Sequence, residues 1–147
     1  MSTSTTAAAP TPEVEHAPSG PRITLRVLRV LAVLHSLAVI AQPTFAGLYL
    51  GGEVDAMAVH ELNAHIASGL GVFQLVAAIV YVWGGRGRTW PLYGSIGLVL
   101  AEQVQVGFGY EGPVAVHIPL GVSVITLQVL LTVWLFRASA RTRRGTS

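Results

Sequence analysis

The chain contains neither cysteine nor lysine, and only 11% of its 147 residues are charged, against roughly 25% in an ordinary soluble domain. The missing cysteine excludes disulfides, iron–sulfur clusters, thiolate-ligated haem and covalent c-type haem attachment together. Any haem would have to be held without a covalent link, by histidine or another non-thiolate ligand. No Gly-x-Ser-x-Gly elbow, phosphate-binding loop or dinucleotide fingerprint is present either, so the familiar signatures of soluble enzymes are missing. What remains is 52% hydrophobic with a mean hydropathy of +0.59, the composition of an integral membrane protein.

Four segments reach the roughly 20 apolar residues that a helix needs to cross a hydrocarbon core: Val30 to Leu50, Ala58 to Trp83, Pro91 to Tyr110 and Pro113 to Phe136. They predict an all-α fold, a four-helix transmembrane domain over residues 22–137, with no room for a second domain. All nine basic residues are arginines. Arg22, Arg26 and Arg29 precede the first segment, Arg86 and Arg88 separate the second from the third, and Arg137, Arg141, Arg143 and Arg144 follow the fourth. The other two loops carry Glu53, Asp55 and Glu111 and no arginine. The positive-inside rule then places both termini in the cytoplasm of a multi-pass protein of the cell membrane. The basic balance thus reflects topology rather than nucleic-acid binding.

Met1 to Pro21 is rich in Ser, Thr, Ala and Pro and lacks apolar periodicity, so it reads as a disordered cytoplasmic tail; residues 138–147 read as a second, basic tail. The leader is too long and the following apolar run too extended for a secretory signal peptide, and the first helix is expected to stay in the mature protein.

Two histidines stand out. His65 and His117 each lie one to two turns inside the outer end of an apolar segment, about 10 Å and about 6 Å deep at 1.5 Å per residue, and each is followed four residues later by glycine, Gly69 or Gly121. Residues four apart share a helix face, so each imidazole has a patch without a side chain beside it, wide enough for a flat porphyrin. Laying His65 on His117 also aligns Ile66 with Ile118, Val72 with Val124 and Leu75 with Leu127. A repeat of two helical hairpins, related by an axis along the membrane normal, would set the two histidines opposite each other. Helix bundles build cofactor sites from inward side chains on facing helices, and paired imidazoles commonly hold haem b; the alternative is that each histidine ties neighbouring helices together.

The remaining polar residues in the apolar segments carry less specific signals. His60 and His65 flank Glu61 in His-Glu-Leu-Asn-Ala-His, but a zinc-protease helix needs histidines at i and i+4, and five residues separate these. His60 reads as interfacial, within reach of a haem propionate or a substrate. Glu61, four residues before His65, either orients that histidine's other ring nitrogen or is a first-turn carboxylate favoured by the helix dipole. His35 lies about 22 Å from the outer end of its helix and reads as a packed, hydrogen-bonded residue. Glu102, Gln103 and Gln105 form a polar cluster, suited to proton relay, to ligand contact or to holding helices together.

From Val30 to Phe136 the chain resembles one half of the haem A synthase family, whose members are two fused four-helix bundles with histidines on the second and fourth helix of each. The likeness rests on the topology, the outer-half histidines and the run Val116-His117-Ile118-Pro119-Leu120-Gly121. It implies that His65 and His117 are haem ligands. The family's second helix carries Glu-x-x-His-Arg, whereas here Glu61 stands four residues before His65 and isoleucine follows. The outer-loop cysteine pair of many members is absent too. Haem binding by the scaffold is therefore expected rather than haem A synthesis: a cytochrome b-like protein with one haem b between the second and fourth helices, exchanging electrons with a redox partner protein or quinol. A homo-oligomer would rebuild the eight-helix arrangement. The runner-up expectations are a haem-free accessory or small-molecule-binding subunit and a haem A synthase-like oxidase.

Overall fold

A computed structural model describes residues 21–145 of the chain; the expected disordered tail falls outside the described residues but for Pro21. Four helices run in order: α1 Arg22–Leu50, α2 Ala56–Trp83, α3 Trp90–Glu111 and α4 Val114–Leu135. No strand occurs among the described residues. α1, α2 and α4 are each long and apolar enough to cross a membrane. α3 falls short by composition, because it carries Glu102, Gln103 and Gln105 among several glycines.

α1 begins at Arg22, eight residues before the apolar stretch, since arginine is a good helix former and nothing before Val30 stops the turn. Its end is sharp. Gly51 returns its N–H to the carbonyl of Gly47 at 2.9 Å, and Gly52 takes a φ of 105° that a side chain would disfavour. Pro91 sits in the first turn of α3 and Pro113 directly before α4, where a missing N–H costs little.

Sequential helices pack on one another, and α4 closes the ring against α1. The short connections make this an up-down-up-down bundle. Its surface is apolar, unlike that of a soluble protein: Leu37, Phe73, Val76, Leu100, Leu127 and Leu130 are exposed. The interior joins an apolar core that includes Leu28, Tyr81 and Leu135 to the buried polar residues His35, Ser36, Gln74, Ser95, Glu102 and Gln128. Outward leucine and valine over an interior that also holds polar and small residues suits a lipid surrounding.

Packing is uneven along the axis. Apart from Ala56, the buried helix residues lie at 25–39 in α1, 67–82 in α2, 91–102 in α3 and 124–135 in α4. All belong to the arginine-bearing end and the middle. The opposite end, which holds His60, His65 and His117, is loosely packed. The aligned residues of the expected repeat share environments only in part: Ile66 and Ile118 are both exposed, whereas Val72 is 47% exposed and Val124 4%.

The segment after Arg137, expected as a tail, is docked as far as it is described. A single 3₁₀ turn, Ala138–Arg141, buries Ala140, and Tyr81, wholly buried, donates its hydroxyl hydrogen to the Ala140 carbonyl at 2.9 Å while accepting from the Arg88 N–H at 3.3 Å. Gly87 leaves room for the Tyr81 ring, which a Cβ at that position would strike. Tyr81→Phe should cost about 1 kcal/mol, the usual net value of one hydrogen bond, and should loosen the segment. Faster tryptic cleavage at Arg141 in Tyr81→Phe than in the parent protein is the expected result; equal rates would show that the hydroxyl does not hold the segment.

Candidate functional site

The interior holds two polar groupings at different depths. The deeper one joins all four helices. Gln128 of α4 donates from Nε2 to the Ala32 carbonyl at 3.0 Å and to Gln74 Oε1 at 2.8 Å, and Gln74 of α2 donates from Nε2 to Gln128 Oε1 at 3.1 Å. Ser36 and Thr132 bond each other at 2.9 Å beside this pair, and Gln74 Nε2 also reaches Ser95 of α3 at 3.4 Å. His35 Nδ1 lies 3.2 Å from Gln74 Oε1, and its Nε2 makes a 2.7 Å charge contact with Glu102 Oε1.

Hydrogen positions follow from one fixed point. A backbone carbonyl only accepts, so Ala32 fixes Nε2 of Gln128; the reciprocal amide contact then fixes Oε1 of Gln74; and His35 must donate from Nδ1. His35 and Glu102 lie at ion-pair distance and both are buried; such groups are left inside a bilayer only when they face the bundle interior and meet a partner. No hydrogen-bond donor reaches Glu102 Oε2 among the described residues; it lies against Gly71, where an added Cβ would collide with it.

The shallower grouping lies at the loosely packed end. Pro43 has no N–H to offer the preceding turn of α1, and two carbonyls that precede it are bonded by α2: Asn63 Nδ2 donates to Ala38 O at 2.8 Å and His60 Nδ1 to Gln42 O at 3.1 Å. His117 of α4 donates from Nδ1 to the Gln105 carbonyl of α3 at 3.1 Å, and its Nε2 accepts from Gln105 Nε2 at 3.3 Å. Gly109 admits this ring, since a Cβ there would stand 3.2 Å from His117 Cε1. The rings of His60 and His117 are 6.4 Å apart between centroids, tilted by 58°. Both are thereby held in the tautomer that leaves a lone pair on Nε2. A hydrogen bond on the distal nitrogen is the usual way to orient a metal-binding histidine.

His65 is placed differently. Tyr110 of α3 gives its only hydrogen to Glu61, and His65 Nε2 lies 3.4 Å from the same hydroxyl, so in this arrangement His65 donates from Nε2 and has no lone pair there. Glu61 thus reaches His65 only through Tyr110. No ring contact or hydrogen bond joins His65 to His117 among the described residues. Of the two glycine patches, Gly69 faces open space, while Gly121 faces the Gln105 amide, which a Cβ would meet at 2.8 Å. Glu102 belongs to the deeper grouping with His35. Gln103 is exposed. No group of three or more His, Cys, Asp or Glu side chains is arranged to hold a metal ion among the described residues; a bis-histidine haem needs only two.

Comparison of the chain with known protein families, curated proteins and solved structures yields no match.

Gly71 and Gly69 separate the two groupings experimentally. Gly71→Ala displaces Glu102 from His35 and should cost about 3–5 kcal/mol, the usual penalty for breaking a buried ion pair. Gly69→Ala adds a methyl group to open space and should be nearly neutral. Thermal unfolding of the two variants in the same detergent checks this; equal melting temperatures would show that Glu102 tolerates displacement.

Proposed function

We propose that the protein is a membrane cytochrome b-like electron carrier, with one haem b held at the loosely packed end by His117 of α4 and a histidine of α2, and with both termini in the cytoplasm. The observation that carries this reading is the matched state of His60 and His117, each with Nδ1 bonded to a backbone carbonyl and Nε2 carrying its lone pair. The two rings lie 6.4 Å apart between centroids, near enough for both histidines to serve one site. Gln105 offers little resistance to such a ligand: its Oε1 is buried without a donor, so its amide is held near His117 Nε2 by one 3.3 Å bond. Gly47, Gly69 and Gly107, near the same end, face open space. On this geometry His60 is the better-placed ligand from α2. His65, the residue that the sequence and its resemblance to haem A synthases suggest, would first have to give up its bond to Tyr110.

A haem in this position supplies reversible one-electron transfer. The chain's own residues would fix the ligand tautomers through Gln42 and Gln105, keep water from the deeper interior through the packed network, and hold the His35–Glu102 pair beneath the site. With histidines from both α2 and α4 as ligands, such a group would serve electron transfer rather than oxygen chemistry.

The haem-free reading, an accessory subunit in which histidines tie helices together, draws on the fact that each outer histidine already bonds a neighbouring helix. Colour separates the two. Protein purified from haem-replete cells should show a Soret band, a sharp reduced α-band and no change of the reduced spectrum with carbon monoxide. His117→Ala and His60→Ala should each lose the haem or convert its spectrum, and His65→Ala should retain it. Retention in His60→Ala with loss in His65→Ala would return the α2 ligand to His65; a colourless parent protein would support the accessory reading. The orientation has its own test: cysteine placed at Ser4 or Ser147 should resist an impermeant thiol reagent in intact cells, and cysteine at Asp55 should react. The reverse pattern would overturn the topology.

A further inference from the structure

The arginine-bearing end contains a cavity of about 480 Å³ lined by Pro21, Arg22, Leu25, Arg26, Arg29 and Arg141. Arg22, Arg26 and Arg29 are spaced four and three residues apart, so they share one face of the first turns of α1. The positive-inside rule asks for arginines on this side of the membrane, but not for their convergence on one cavity. The convergence is unfavourable by itself: like charges at i and i+4 repel, they stand at the helix end that already carries the positive pole of the dipole, and no side chain caps that end. Among the described residues, none of these four arginines pairs with a carboxylate. The described acidic residues, Glu53, Asp55, Glu61, Glu102 and Glu111, belong to the opposite end or to the core beside His35.

Arg29 gives the cavity its built character. Its Nε donates to the Leu135 carbonyl at 2.8 Å and its guanidinium carbon lies 4.9 Å from the centroid of Phe136. The head group is thus held on the bundle rather than extended into solvent. Its Nη2 is buried and has no hydrogen-bond partner. A fixed, unsatisfied guanidinium donor in a cavity of four like charges lacks an anion with several acceptor oxygens, and guanidinium groups match phosphate with parallel hydrogen bonds. The cavity lies just beyond the apolar stretch of α1, at the depth where phospholipid headgroups lie.

We propose that this cavity binds a phosphate group, carried by an anionic phospholipid headgroup or present as a free phosphate ion. The site is independent of the haem reading, since it lies at the other end of the bundle. The test uses the full chain in detergent. One arm adds phosphatidylglycerol and, as control, phosphatidylcholine; the other adds inorganic phosphate, with sodium chloride matching its ionic strength. Melting temperature and binding are read for the parent protein, for Arg26→Gln/Arg141→Gln and for Arg137→Gln/Arg144→Gln, which removes the same charge outside the cavity. Phosphatidylglycerol should raise the melting temperature of the parent and of Arg137→Gln/Arg144→Gln, and should bind Arg26→Gln/Arg141→Gln about tenfold or more weakly, given about 1 kcal/mol per arginine. A response of the same pattern to inorganic phosphate alone would identify the free ion as the source. Equal responses in the two double variants would reduce the effect to surface charge and overturn the site, as would no response in either arm. A response that emerges only after Glu13→Gln/Glu15→Gln would assign the cavity to the chain's own carboxylates and overturn it equally.

Discussion

The carbonyl of Ala32 is the fixed point of this molecule. Its bond from Gln128 sets the polarity of the amide pair with Gln74, which makes His35 a donor at Nδ1 and leaves its other nitrogen to meet Glu102. In water such a chain of amides would be one solution among many. In a bilayer no solvent replaces a lost partner, so each polar group is bonded within the protein or pays for its isolation. Individual interhelical hydrogen bonds in membranes contribute only about 0.6 kcal/mol, while an orphaned buried charge costs about 3–5 kcal/mol. The second quantity decides. The network stabilises the bundle modestly, but heavily penalises any register or rotation that would separate Glu102 from His35.

That penalty explains why the tight packing sits where it does. Small residues, Ala32, Ala67, Gly71, Ala77 and Ala78, line the same levels as the amides, letting helices approach closely enough for short side chains to meet across the axis. Beyond the network toward the acidic loops, no comparable constraint operates. There, α1 is interrupted by Pro43, and interior contacts are carried by the longer histidine, glutamine and tyrosine side chains. A bundle fixed at its middle and docked at its basic end can leave its other end adaptable without losing its topology.

The four helices were legible from hydrophobic run lengths and from the arginine, glycine and proline in the breaks, but of the four expected spans only α1, α2 and α4 are apolar enough to cross a membrane, because the polar cluster and glycines of α3 dilute its composition. The inward direction of individual side chains was harder to read. Glu102 and His35 are 67 residues apart in sequence, and nothing local to either predicts the contact; the only sequence signal was their cost in an apolar segment. Gln74 and Gln128 carry the same signal more faintly, because a neutral amide is a milder intruder than a carboxylate. His60 was read as interfacial from its distance to the helix end. Depth alone does not give facing, and the turn that points His60 at His117 is set by its bond to the Gln42 carbonyl on another helix. The glycines beside His65 and His117 were read as equivalent, yet one faces open space and the other the Gln105 amide, because helix spacing identifies a shared face without saying what lies across it.

Residues that depart from helix rules turn out to be the ones that join the helices. Pro43 leaves α1 short of a backbone donor, and two carbonyls that precede it, those of Ala38 and Gln42, accept from Asn63 and His60. Gly71 gives up a side chain, and the Glu102 carboxylate occupies the space. Gly109 does the same for the His117 ring, whose proton goes to a carbonyl of α3 that also serves the helix. Each departure weakens its own helix by an amount of order 1 kcal/mol for glycine and about 3 kcal/mol for proline, and a polar group from a neighbouring helix bonds or fills the helix nearby. Local instability of this kind therefore marks where tertiary contacts must form. In this chain those contacts fall at two levels, a buried His35–Glu102 pair at the centre and a pair of oriented imidazoles toward one end.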